Sequence, residues 1–276
     1  MATRQCFWTL AVLAMLAAAG CGRLAQVNSR LDAITDDRAR TDLRDCLWAA
    51  GSKYAWVGHD TLRCQVTRTE HTPAGDRQTE EVWLLDIWGG RVRMERPPAT
   101  PEAPPEVAVF DGNQWRVFVG GQPSDDPRKR AEAKGWGRAV LELLPLPLSL
   151  LGPSRGIEYV GTVVGPGEAR SWDRLLVTYR DRPRVNRSDR LVVEIDRATR
   201  RIDAVLLQWS EAPFDGRQFR VDLDMWLPVK DLLVTQRWRF TPIDDQGTPT
   251  GKPCYTVGIR DAAFDVAPGA TAFTKP

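Results

Sequence analysis

From Thr61 onward the chain keeps returning to a period of two, and that alternation restricts the fold more than any other property of the sequence. In TLRCQVTRTEH, Leu62, Cys64 and Val66 fall on one side and Arg63, Gln65 and Thr67 on the other, as in a strand with one buried face. Pro73-Ala74-Gly75-Asp76 turns the chain into EEVWLLDIW, and Gly89-Gly90 turns it again into RVRMER. After the proline-rich PPATPEAPPE, EVAVF and QWRVFVG flank Asp111-Gly112-Asn113, residues suited to the positive φ of a tight turn. Strand patterns resume with IEYVGTVV, DRLLVTYR, RLVVEID, RIDAVLLQW, QFRVDLDMW, LLVTQRWRF and CYTVGIR. About a dozen strands joined by turns, with no helix-strand alternation, predict a mainly β (α+β) fold: one large curved antiparallel sheet or an open half-barrel.

Two stretches break this rhythm. Near the amino end, Leu24, Val27, Leu31 and Ile34, then Leu43, Leu47, Ala50, Tyr54 and Val57, recur at helical spacing. Thr41 as N-cap and Gly58 as stop predict a helix over 42–57, preceded by a shorter one. In the middle of the chain, GWGRAVLELLPLPLSLLGP fills 135–153. Trp136, Val140, Leu141, Leu143 and Leu144 form a short helix there, which Pro145 and Pro147 forbid from continuing.

The first twenty residues carry one charge, Arg4, before the uncharged run FWTLAVLAMLAAA. Thirteen residues fall short of the roughly 20 that a spanning helix needs and fit a secretory signal. Ala17-Ala18-Ala19 satisfies an ordinary cleavage site, whereas Ala19-Gly20-Cys21 resembles a bacterial lipobox, with Ala18 where leucine is usual. The second reading makes Cys21 a lipid anchor of the palmitate kind, and plain secretion is the alternative. The expected organisation is a signal peptide over 1–20, a lipid-anchored tether over 21–40 and one domain over 41–276. Such a protein resides in the bacterial envelope, facing the periplasm or the exterior.

Lys plus Arg number 38 and Asp plus Glu 36, so no global field exists to gather nucleic acid. Cys46, Cys64 and Cys254 allow one disulfide at most, and spacing does not say which pair. His59 and His71 would need a third ligand from elsewhere to hold zinc, and neither a nucleophile elbow nor phosphate-binding glycines occur. Asp222 and Asp224 share the polar face of one strand, where cross-strand arginines are their expected partners. These observations speak against an enzyme, and no cofactor is expected.

The order of elements, an N-terminal helix, five strands, an apolar helical insertion and then the remaining strands, resembles the LolA-like fold of lipoprotein carriers, shared by LolB-type and LppX-type envelope lipoproteins. VAVFDGNQWRVF, VEIDRATRRIDAVLLQW, DMWLPVKDLLV and DAAFDVAPGATAF carry the local likeness. The resemblance implies an apolar cavity between a bent sheet and a lid, an acyl chain or lipoprotein as ligand, and an arginine that latches the lid. No arginine stands out by motif for that role. Of the eleven tryptophans, the ten that remain after cleavage of the signal supply the aromatic surface such a cavity needs. The candidate ligand-binding residues are Trp83, Trp115, Trp136, Val140, Leu141, Leu144, Leu148, Trp209, Trp226 and Trp238. Two readings stay open: a membrane-anchored binder of an acyl chain or lipid through a movable lid, and a structural or protein-interaction lipoprotein whose core is filled by its own side chains. Any envelope protein partner is unidentified.

Overall fold

The computed structural model describes residues 21–153, 155–165, 169–179, 189–269 and 271–276. The signal-peptide reading over 1–20 therefore lies outside the described residues. Thirteen strands form one antiparallel sheet: β1 (Thr61–Thr72), β2 (Gly75–Asp86), β3 (Arg91–Arg96), β4 (Glu106–Phe110), β5 (Trp115–Val119), β6 (Gln122–Pro123), β7 (Arg155–Val164), β8 (Ser171–Tyr179), β9 (Arg190–Asp196), β10 (Ile202–Gln208), β11 (Gln218–Val229), β12 (Leu232–Pro242) and β13 (Tyr255–Phe264). Their order is β6-β5-β4-β3-β2-β1-β13-β12-β11-β10-β9-β8-β7, so β6 and β7 are free edges and the sheet is open. The chain starts at the centre, walks to one edge and crosses to the other. It then walks back until β13 pairs with β1.

One face of the sheet is apolar and covered. Leu62, Cys64 and Val66 are fully buried there, together with Leu191, Val193 and Ile195 of β9 and Val221 and Leu223 of β11. The opposite face carries cross-strand ion pairs. Arg174 of β8 and Arg220 of β11 both bond Glu194 of β9. Asp222 and Asp224 stand in register with Arg239 and Arg237 on β12, and Arg239 lies 2.9 Å from Asp224. The alternation ends at Met225, whose φ of 55° turns its side chain out to solvent.

The helical segments depart from expectation in their limits. Residues 21–32 form α1, with Val27 and Leu31 buried in the common core. The single helix expected over 42–57 is two: α2 (Asp37–Ala49), capped by Asp36 rather than Thr41, and α3 (Lys53–Val57), closed by Gly58. Between them Gly51 and Ser52 take φ of 120° and 86°, which no helix accommodates. The crossing segment holds α4 (Pro127–Leu143), longer than the short helix expected from 136. Asp126 caps it by accepting from the Arg128 N–H, and Pro127 begins it, where a missing N–H costs nothing. A 3-10 turn, Leu148–Leu151, follows. No helix among the described residues is long and apolar enough to cross a membrane.

Candidate functional site

The site is organised by α4, which lies on the apolar face. One side of it is packed solid. Trp136 meets the rings of Phe214, Phe240 and Tyr255 at centroid distances of 5.4 to 5.5 Å, while Val140, Leu143 and Leu144 are buried beside it. Fully burying side chains of this size contributes about 1.5–3 kcal/mol each, so this side fixes the helix to the sheet.

The other side of α4 borders a cavity of about 870 Å³. Leu141 of α4, Pro145 and Leu148 line it together with Leu85, Ile87, Trp88, Phe110 and Trp115. Phe110 and Trp115 stack at 5.0 Å, and the Trp88 indole N–H donates to the His59 carbonyl at 2.8 Å. Trp115 can lie against α4 because position 137 is glycine: a Cβ there would stand 1.8 Å from the indole ring. Glycine inside a helix costs about 0.5–1 kcal/mol relative to alanine, and here it makes room for an aromatic wall.

Arginines tie α4 and its neighbourhood to the sheet. Arg68 of β1 bonds Glu81 of β2 at 2.9 Å and Glu132 of α4 at 3.0 Å, and Arg96 of β3 reaches the same two carboxylates. Burial pushes the Glu81 carboxyl up, but the two guanidiniums outweigh it and hold it below the usual carboxylate range. At the cavity, Arg138 of α4 donates to Asp189 and Glu211 at 2.5 and 2.7 Å, and Arg155 of β7 lies 2.6 Å from Glu142.

The structure divides the residues singled out from sequence. Trp115, Leu141 and Leu148 line the cavity. Trp136, Val140 and Leu144 belong to the packed side of α4, Trp83 and Trp238 pair at 5.7 Å within the sheet core, and Trp209 is buried against Phe214. Trp226 is half-buried at the edge of the core. Cys21 is exposed at the start of α1. The cavity residues Ile87, Trp88, Phe110, Arg138 and Arg155 were not singled out. Trp88 lies in the turn beyond the end of β2 and the arginines stand among many others, so no periodicity marks them.

Other chemistry-bearing groups are occupied. His59 bridges Asp231 and Asp265 through its two ring nitrogens, at 2.6 and 2.7 Å, and His71 contacts Asp76 and Thr256. Among the described residues no group of three or more His, Cys, Asp or Glu could hold a metal ion. Cys46, Cys64 and Cys254 are free thiols. Burial pushes the Cys64 thiol up to about 12, so it is inert at neutral pH.

No family model and no curated protein matches the chain. Solved structures do. A LolA superfamily protein from Nitrosomonas europaea is 12% identical, with a TM-score of 0.59 over 86% of this chain and 97% of that one. A DUF1329 family protein from Desulfovibrio piger is 7% identical, with a TM-score of 0.55 over 87% of this chain and 98% of that one. At these identities the likeness is one of architecture. The chain has the LolA-like fold.

Proposed function

We propose that the protein is a non-catalytic envelope lipoprotein, anchored through Cys21, that holds an acyl chain or similar apolar ligand between α4 and the sheet, which we read as an open half-barrel. One observation carries this reading. The cavity of about 870 Å³ has an aromatic and aliphatic wall, and it falls in the range of roughly 300–1,000 Å³ that ligand sites occupy. An apolar wall of this extent gains most from an apolar occupant, because water there forfeits hydrogen bonds. The Ala19-Gly20-Cys21 ending and the exposure of Cys21 support the anchor.

A structural lipoprotein with a self-filled core is the second reading, and the packing of Trp136, Phe214 and Phe240 favours it for the other side of α4. Organic extraction of the protein purified from membranes, followed by lipid mass spectrometry, separates the two. A stoichiometric acyl lipid beyond the one on Cys21 is the expected result. Its absence, together with failure of added fatty acids to bind, would leave the structural reading standing.

A further inference from the structure

The cavity has a second wall unlike the first. Arg30 of α1, Lys134 and Arg138 of α4 and Arg155 of β7 converge on it, with Glu142 and Glu211. Lys134 and Arg138 share Glu211, Arg138 also holds Asp189, and Arg155 holds Glu142. Three cations therefore balance three carboxylates, and Arg30 is left over, with no ion pair among the described residues.

The arginines also keep unspent donors. The Arg155 side chain is 6% exposed, yet its Nε and Nη1 have no hydrogen-bond partner, and Arg138, 10% exposed, leaves Nη2 unpartnered. The Tyr179 ring stands 5.1 and 5.4 Å from the two guanidinium carbons, and Arg138 also lies 4.6 Å from the Trp209 ring. Arg155 runs close over Gly152, where any Cβ would stand 2.6 Å from its Nε. Buried guanidinium N–H groups without acceptors are costly, and a carboxylate or phosphate oxygen satisfies them with charge-assisted bonds. Burial, and then the charge of Arg155, hold the Arg30 guanidinium below its ordinary value, so an anion between the two relieves both.

We propose that this end of the cavity binds the anionic head, a carboxylate or a phosphate, of an amphiphile whose single chain lies along the Trp88, Phe110 and Trp115 wall. The inference rests on the ligand-binding reading above and adds head-group selection to it.

The test is calorimetric titration of the full chain carrying Cys21→Ser with four twelve-carbon probes below their micelle concentrations: dodecanoate, dodecyl phosphate, dodecanol and dodecylamine. The anions are expected to bind about tenfold tighter than dodecanol, the scale of one charge-assisted hydrogen bond, and dodecylamine weakest. Tighter binding of dodecanoate identifies a fatty carboxylate, and tighter binding of the phosphate a phosphorylated lipid. Arg30→Met strands no carboxylate and is expected to narrow the gap between the anions and dodecanol at least threefold. Equal affinity for dodecanol and both anions overturns the head site and leaves the apolar cavity in place. Failure of all four probes overturns both. An anion preference that survives Arg30→Met and Arg155→Lys alike places the anion elsewhere and overturns the assignment.

Discussion

The two sides of α4 are built from the same short stretch of chain and do opposite things. Toward the centre of the sheet, Trp136 and Leu144 are locked among the rings of β12, β13 and the segment after β10. Toward β2–β5 the helix rests on the Trp115 ring at Gly137, and beyond that contact Leu141 and Leu148 line the cavity together with Trp88. The difference teaches that aromatic richness does not mark a ligand site in this fold. Trp56, Trp83, Trp136, Trp209 and Trp238 complete the core, and the wall of the cavity takes Trp88 from a turn and Trp115 from the start of a strand.

The largest expected effect tests the packed side. Trp136→Ala removes the ring that touches three others and is expected to cost about 3–5 kcal/mol, read by urea unfolding. A loss under about 1 kcal/mol, the size of an ordinary surface change, would dissolve the contrast. On the open side, Leu141→Glu is expected to keep stability within about 1 kcal/mol while fluorescent fatty-acid binding falls at least about tenfold, because a carboxylate among apolar groups costs several kcal/mol. Unimpaired binding by a folded Leu141→Glu protein would rule the cavity out as the ligand site.

Gly137→Ala sharpens the comparison at the boundary between the sides. It is expected to cost about 1–3 kcal/mol by overpacking against Trp115, and Trp115→Ala in the same chain should recover most of that in a double-mutant cycle. Additivity of the two changes would mean that the ring does not rest on the helix.

The smallest effect concerns the clasp that His59 makes behind α3. Partial burial works against the Asp265 carboxylate, but bonds from Lys230, His59 and the Asp60 N–H outweigh it and hold its pKa at about 2. A depressed carboxylate contributes stability that is present above its unfolded pKa of about 4 and disappears as pH falls toward 2. Acid titration of thermal stability should therefore show a step in that window that Asp265→Asn removes, while Leu141→Glu leaves it in place.

Legibility followed periodicity. The strands could be read because Leu62, Cys64 and Val66 alternate with polar residues, and the pairing of Asp222 and Asp224 with arginines follows from the same alternation. The first half of α4 could not be read so, because PRKRAEAK has no apolar stripe. Its only signals are the Asp126 cap and Pro127, and its stability comes from the ion pairs of Glu132 and from the packing further along. The break at Gly51-Ser52 was hidden because the stripe from Leu43 to Val57 runs straight across it. The cavity was half legible: Leu141, Leu148 and Trp115 stand out in sequence, whereas Arg30, Arg138 and Arg155 acquire meaning only from the distant strands that surround them.

The pairing of β1 with β13 sets the order in which this chain can be made. Leu62 meets Phe264 across the central seam, so a chain made amino end first must hold the edge of β1 unpaired until its last strand arrives. Until then two half-sheets exist, one ending in β1 and the other in β12, each with a bare row of backbone donors and acceptors of the kind that recruits foreign strands. Contacts this far apart in sequence form slowly. The vulnerable moment in the life of this chain is therefore the interval before its last strand is made, and a chain cut short before Tyr255 would emerge as two incomplete sheets bridged through α4 and without their central seam.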